Sequence, residues 1–229
     1  MKKTILTTLI GALMMFSAEA AVITFTGGTA TDANNNTHVT TQNGIYFNIV
    51  SYVESGFQLN YVSSTGDYSP QTVGSYYDGS DNDVIHGHWV SGLESIDIHS
   101  INGSTFDLNY FIITSNTQHG GATASGHEHI YVQGYRNGAA VTAPYMLPSE
   151  DWGIGEVSNI ILNNEFDNID LFRIYGEGAF CFGMDAFYIN EAAPNVEGVI
   201  IGQPAIPEIS TSMLLPLGLA ALLIIRRRN

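Results

Sequence analysis

The chain has 229 residues, 45% of them hydrophobic, with 22 acidic residues against 7 basic ones and a single cysteine. Five of the basic residues sit at the two ends, so residues 21–206 hold only Arg136 and Arg173 against twenty acids, a formal charge of −18 without one lysine. Such a surface repels phosphate backbones and anionic headgroups, which excludes nucleic acid and anionic membrane as its partners, and the lone Cys181 excludes an internal disulfide framework.

Taken in chain order, the first element is Met1-Lys2-Lys3, an apolar run over residues 5–16, then Ser17-Ala18-Glu19-Ala20. A positive start, an apolar run too short to span a bilayer and an A-x-A site together predict a signal peptide over residues 1–20, cleaved after Ala20. The remainder is then exported.

Residues 21–190 read as one domain, long enough for a sizeable core. They are rich in Gly, Asn, Ser, Thr, Tyr, Val and Ile, and no window of helical length carries the three-four apolar spacing. Short β-branched and aromatic runs predict strands at 22–25, 45–52, 57–62, 93–99, 106–114, 130–135, 157–162, 169–175 and 180–189. Asn43-Gly44, Asp78-Gly79, Asn102-Gly103 and Asn137-Gly138 supply turns between runs. The expected fold is all-β, an antiparallel β-sandwich of jelly-roll type. Within it, alternation on both sides of Asn102-Gly103 predicts a half-buried hairpin, and residues 180–189, apolar on both faces, predict a central strand.

Three clusters in this body could carry chemistry. Asp78, Asp81 and Asp83 fall in one short loop with Ser80 and Asn82, an oxygen-rich set suited to calcium or to a solvated turn. His86 with His88, and His127 with His129, form two H-x-H pairs. On a strand, residues two apart share a face, so each pair could offer two imidazoles to a transition metal, or serve as polar histidines at loop ends. Tyr77, Trp89 and Trp152 lie in or beside expected loops, where a ring can stack on a sugar or pack on the rim. Cys181, among aromatics in "AFCFGMDAFYI", reads as a buried thiol. No nucleophile elbow, zinc-protease helix or phosphate loop is present, so the body reads as non-enzymatic, with a glycan hydrolase as the competing class.

From residue 190 onward the strand rhythm fades and prolines recur, giving an expected linker over residues 191–206. The last segment, residues 207–229, holds Pro207-Glu208, Ser210, an apolar run of thirteen residues (213–225) and then Arg226, Arg227 and Arg228. As a helix that run covers about 20 Å of a hydrocarbon core about 30 Å thick, a short transmembrane helix at most. The arginines favour the cytoplasmic side, in agreement with an exported body.

Three resemblances follow from these residues. The order S-I-D-I, NG-S-T-F-D-L, Y-V-Q-G-Y-R-N-G, N-I-D-L-F-R-I and F-G-M-D-A-F-Y-I, over residues 91–190, resembles the galactose-binding-like jelly rolls of exported bacterial surface proteins. It implies a binding module with carbohydrate as the usual ligand and in some members a structural calcium. Gly79, His86, His88 and Glu94 resemble the metal motif of cupins, which would imply a metal-dependent jelly-roll enzyme. The tail, with Pro207, Glu208, Ser210, Arg226, Arg227 and Arg228 in place and Ile209 where a second proline is usual, resembles the PEP-CTERM sorting signal of bacteria that make exopolysaccharide. That resemblance implies processing by an exosortase-type membrane protease and delivery to the cell surface or extracellular matrix.

Overall fold

The computed structural model describes residues 19–75, 83–88, 92–152, 158–177 and 181–202. Within them the chain is almost all β, with one short 3-10 turn at Asn164–Phe166 and no α-helix. The expected signal helix before residue 19 and the expected apolar helix of the tail lie outside the described residues.

The first third of the chain supplies β1 (Ala21–Ile23), β2 (Thr29–Asp32), β3 (Thr37–Val39), β4 (Ile45–Phe47), β5 (Ile49–Glu54), β6 (Phe57–Ser63) and β7 (Thr72–Ser75). The middle supplies β8 (Asp83–His88), β9 (Leu93–Ser100), β10 (Leu108–Thr117), β11 (Ile130–Arg136), β12 (Ala139–Ala140) and β13 (Tyr145–Met146). The last part supplies β14 (Ser158–Leu162), β15 (Leu171–Gly176), β16 (Cys181–Ile189) and β17 (Val199–Ile201).

Among the described residues these strands form two large sheets. The first runs β17-β14-β10-β16-β8-β7-β4, with β1 also on β16; the second runs β12-β11-β15-β9-β6-β5-β2-β3, with β13 also on β11. Pairing is antiparallel except between β14 and β17. Strand residues alternate between core and outside, as in Ile130, Val132 and Phe172, Ile174, so each sheet turns one apolar face inward. The two faces meet in one core. Phe111 of the first sheet lies 5.9 Å, centroid to centroid, from Phe172 of the second, and stacks on Phe187 at 5.5 Å. Burial of these rings is the main force holding the layers together.

Two features show how local sequence sets the path. Asn137 and Gly138 both have positive φ (+52° and +75°), the conformation of a tight hairpin turn, and they join β11 to β12 with Arg136 opposite Ala139. As expected from its two apolar faces, β16 is central, with β10 on one side and β8 and β1 on the other.

Other expectations change. Residues 45–52 do not form one strand: Asn48, at φ +57°, breaks the run, and β4 joins the first sheet while β5 joins the second. Asparagine enters that left-handed region more readily than most residues, which suits it to a corner. The expected hairpin around Asn102-Gly103 is also a corner. Gly103 turns the chain at φ +73°, but β9 belongs to the second sheet and β10 to the first, and Phe106 pairs with Ile169 instead. Alternation reports which face is buried and says nothing of which strand lies alongside. In the stretch expected as a linker, Val199–Ile201 pairs with Ile160–Leu162, so the first sheet extends past residue 190.

Candidate functional site

The outer face of the second sheet carries a groove of about 390 Å³ lined by Val62, Glu94, Ser95, Gln133, Tyr135, Arg173 and Tyr175. Its position follows from the pleat. With Ile96, Ile98, Phe172, Ile174, Ile130 and Val132 turned into the core, their neighbours Ser95, Asp97, Arg173, Tyr175, Tyr131, Gln133 and Tyr135 must face out. Register then sets them in rows across the strands. Gln133 lies opposite Arg173, Arg173 opposite Asp97 and Asp97 opposite Asn60; in the neighbouring row Tyr131 lies opposite Tyr175, and Val62 opposite Ser95.

Each polar group is held by another. Arg173 donates from Nε to Asp97 Oδ1 at 2.8 Å and from Nη2 to Asp97 Oδ2 at 2.6 Å, a two-pronged pair. The Asp97 hydrogen bonds raise the guanidinium further above its ordinary pKa, although partial burial works against them, so its charge is permanent. The same guanidinium carbon sits 5.3 Å from the centre of the Tyr135 ring. Tyr135 donates its hydroxyl to Gln133 Oε1 at 2.8 Å, and Gln133 Nε2 donates to Thr142 O at 2.9 Å, which fixes the amide. Tyr175 stacks on Tyr131, centroids 5.5 Å apart and planes 24° from parallel. Burial first, then the neighbouring tyrosines and Glu177, raise the Tyr175 phenol, which stays a neutral donor.

The histidine pairs are placed differently. His86 and His88, on β8 of the first sheet, are buried at 0% and 8% exposure with ring centroids 4.2 Å apart. Burial pulls the His88 imidazole down to about 4, and burial with the adjacent His88 pulls His86 well below its ordinary value. Cys181 Sγ lies 3.2 Å from His88 Nδ1, and burial raises its thiol, so thiol and imidazole are both favoured neutral rather than as an ion pair. His127 and His129 are exposed on the segment entering β11 of the second sheet. Glu94 is also in the second sheet, so the cupin-like set of His86, His88 and Glu94 is spread over two layers. Among the described residues no group of three or more His, Cys, Asp and Glu is arranged to hold a metal ion.

Of the expected sugar-stacking rings, Trp152 packs edge-on against His86, centroids 4.9 Å apart, and lies over Gly120. Tyr77 and Trp89 lie outside the described residues, as do Asp78 and Asp81 of the calcium loop and Gly79. The sorting-signal residues of the tail, Pro207, Glu208, Ser210, Arg226, Arg227 and Arg228, lie outside them as well. Asp83 opens β8, and Ala20 is exposed just before β1.

Apart from Glu94, no groove residue is among the expected site residues. A signal for them exists in the sequence. In "IYVQGYR" and "FRIYG" strict alternation puts Tyr131, Gln133 and Tyr135 on one face, and Arg173 and Tyr175 on one face, and Arg173 is one of two cations in the body. What alternation lacks is the pairing that sets those two strands side by side. No family model, curated protein or solved structure matches this chain.

Proposed function

We propose that this chain is an exported, non-enzymatic β-sandwich of jelly-roll type that binds glycan at the cell surface or in an exopolysaccharide matrix. One observation carries the glycan reading: the outer face of the second sheet sets half-exposed tyrosines beside fixed amide and guanidinium donors in one groove. Sugars present both an apolar ring face and a rim of hydroxyls, and a site of this composition meets both. The export reading rests on residues 1–20, and the surface reading on the PEP-CTERM-like tail, whose partner would be an exosortase-type protease. The galactose-binding-like resemblance adds carbohydrate as ligand class, with calcium as a structural ion in some members.

A glycan array probed with the exported protein, with and without calcium, tests the binding reading. Retention on a defined glycan is the expected outcome, whereas turnover of chromogenic glycosides would move the protein to the hydrolase class. The sorting reading has its own measurement. The intact mass of the protein from its native host is expected to lack both the first twenty residues and the arginine tail, and a mass that retains Arg226, Arg227 and Arg228 would reject processing.

A further inference from the structure

Resting on the glycan-binding reading, the geometry points to an uncharged polysaccharide as ligand, seated over Ser95 and stacked against Tyr175. Three observations carry this. The first is shape. Ser95 lies opposite Val62 and lines the groove together with Tyr175, and its small side chain, 4% exposed, makes a hollow between these larger neighbours. Tyr175 forms one wall, and its contact with Tyr131 holds that ring in place before any ligand arrives. A preset aromatic surface loses little freedom on binding.

The second is charge. Arg173 is the one cation in the groove lining, and Asp97 already engages it through Nε and Nη2. Glu94, exposed at the rim, leaves the groove with a net negative charge, within a body of formal charge −18. A uronic-acid or sulfated chain would be repelled by both. Neutral hydroxyls meet no such barrier. They can accept from guanidinium N–H groups turned away from Asp97 and exchange hydrogen bonds with the fixed Gln133 amide.

The third is extent. Beyond Arg173 and Asp97 the polar row continues to Asn60, whose Oδ1 accepts from Gln58 Nε2 at 2.8 Å. The face that can meet hydroxyls thus runs across β11, β15, β9 and β6, about 15 Å at ordinary strand spacing, which suits a stretch of chain more than one terminal sugar.

The test uses affinity electrophoresis of the exported protein in gels containing galactomannan, β-glucan or dextran as uncharged polymers, alginate as the anionic one and chitosan as the amine-bearing one. Retardation is expected in an uncharged polymer, unchanged between low and high salt. Ser95→Leu, which fills the hollow, and Tyr175→Ala, which removes its wall, are each expected to weaken it about tenfold or more, with melting temperatures near the parent's. Two variants with opposite changes in bulk guard against a single misfolded one. Stronger retardation by alginate, or retardation by chitosan that persists at high salt and is lost in both variants, would overturn the uncharged-ligand inference; salt-sensitive chitosan retardation that both variants keep is the ion exchange expected of a body of charge −18. Retardation in an uncharged polymer that both variants keep would overturn the groove while leaving glycan binding intact. No retardation in any polymer, together with a blank glycan array, would reject the glycan reading itself.

Discussion

Arg173→Met is expected to lower the free energy of unfolding by about 2–4 kcal/mol, measured by urea denaturation at neutral pH. The reason lies in the residue it leaves behind. The Asp97 side chain is only 12% exposed, and both its oxygens are used by Arg173. Removing the guanidinium strands a carboxylate that water reaches poorly, and an unpaired buried charge is among the costliest single defects. The effect falls short of that for a fully enclosed pair because the Arg173 side chain is itself 34% exposed and water can enter where it stood. Asp97→Asn alone is expected to be milder, since the charge it leaves without an ionic partner, the Arg173 guanidinium, is 34% exposed and water can solvate it. The double variant Asp97→Asn with Arg173→Met is expected to recover most of the loss, and the double-mutant cycle then reads the coupling directly. If Arg173→Met and the double variant were equally unstable, packing of the guanidinium on Tyr135 would be the larger contribution.

The pair also shows what can and cannot be read from the sequence. Alternation in "LESIDIHS" correctly turns Ile96 and Ile98 inward and Asp97 outward, and alternation in "LFRIYG" turns Arg173 outward. That β9 lies beside β15, 76 positions later, is a nonlocal fact that no short-range pattern encodes. The all-β character and the central place of β16 are legible because they depend on composition and local period. Strands such as Thr29–Asp32 and Thr72–Ser75 are not, because their polar residues pair in sheets without any apolar run to announce them. The expected hairpin at Asn102-Gly103 goes astray for the same reason as the groove: the turn residue is right and the strand partners are elsewhere. The H-x-H pairs show a further limit. A two-residue spacing correctly places His86 and His88 on one face of β8, but sequence alone does not show that this face is buried beneath Trp152.

In the second pair the residue between the histidines matters more to the fold than the histidines do. Glu128 is 2% exposed while His127 and His129 face solvent. One of its oxygens accepts from Ser125 N at 2.8 Å and Ser125 Oγ at 2.8 Å; the other accepts from Gly126 N at 2.9 Å and from the Ser149 hydroxyl. Burial by itself would raise this carboxyl, but the hydrogen bonds from Ser149 and Ser125 outweigh it and hold the group at about 2. A carboxyl held lower in the folded chain than in the unfolded one stabilises the fold fully above its ordinary value near 4.5, and that stability is lost as pH falls toward 2. About 3 kcal/mol is at stake across this window. Glu128→Gln is therefore expected to lower stability by about 2–3 kcal/mol at pH 7, because an amide NH₂ must face backbone or side-chain donors that the carboxylate satisfied. Urea unfolding of parent and variant at pH 7, 4 and 2.5 checks it: the gap is expected to narrow at each step. A gap that stays constant with pH would show that Glu128 acts through shape, with its charge irrelevant. Because these bonds tie the turn before β11 to Ser149, their loss is also expected to loosen the start of the strand that carries Tyr131, Gln133 and Tyr135. Amide exchange over residues 125–131 should then rise in Glu128→Gln well before the core strands β9 and β15 are affected.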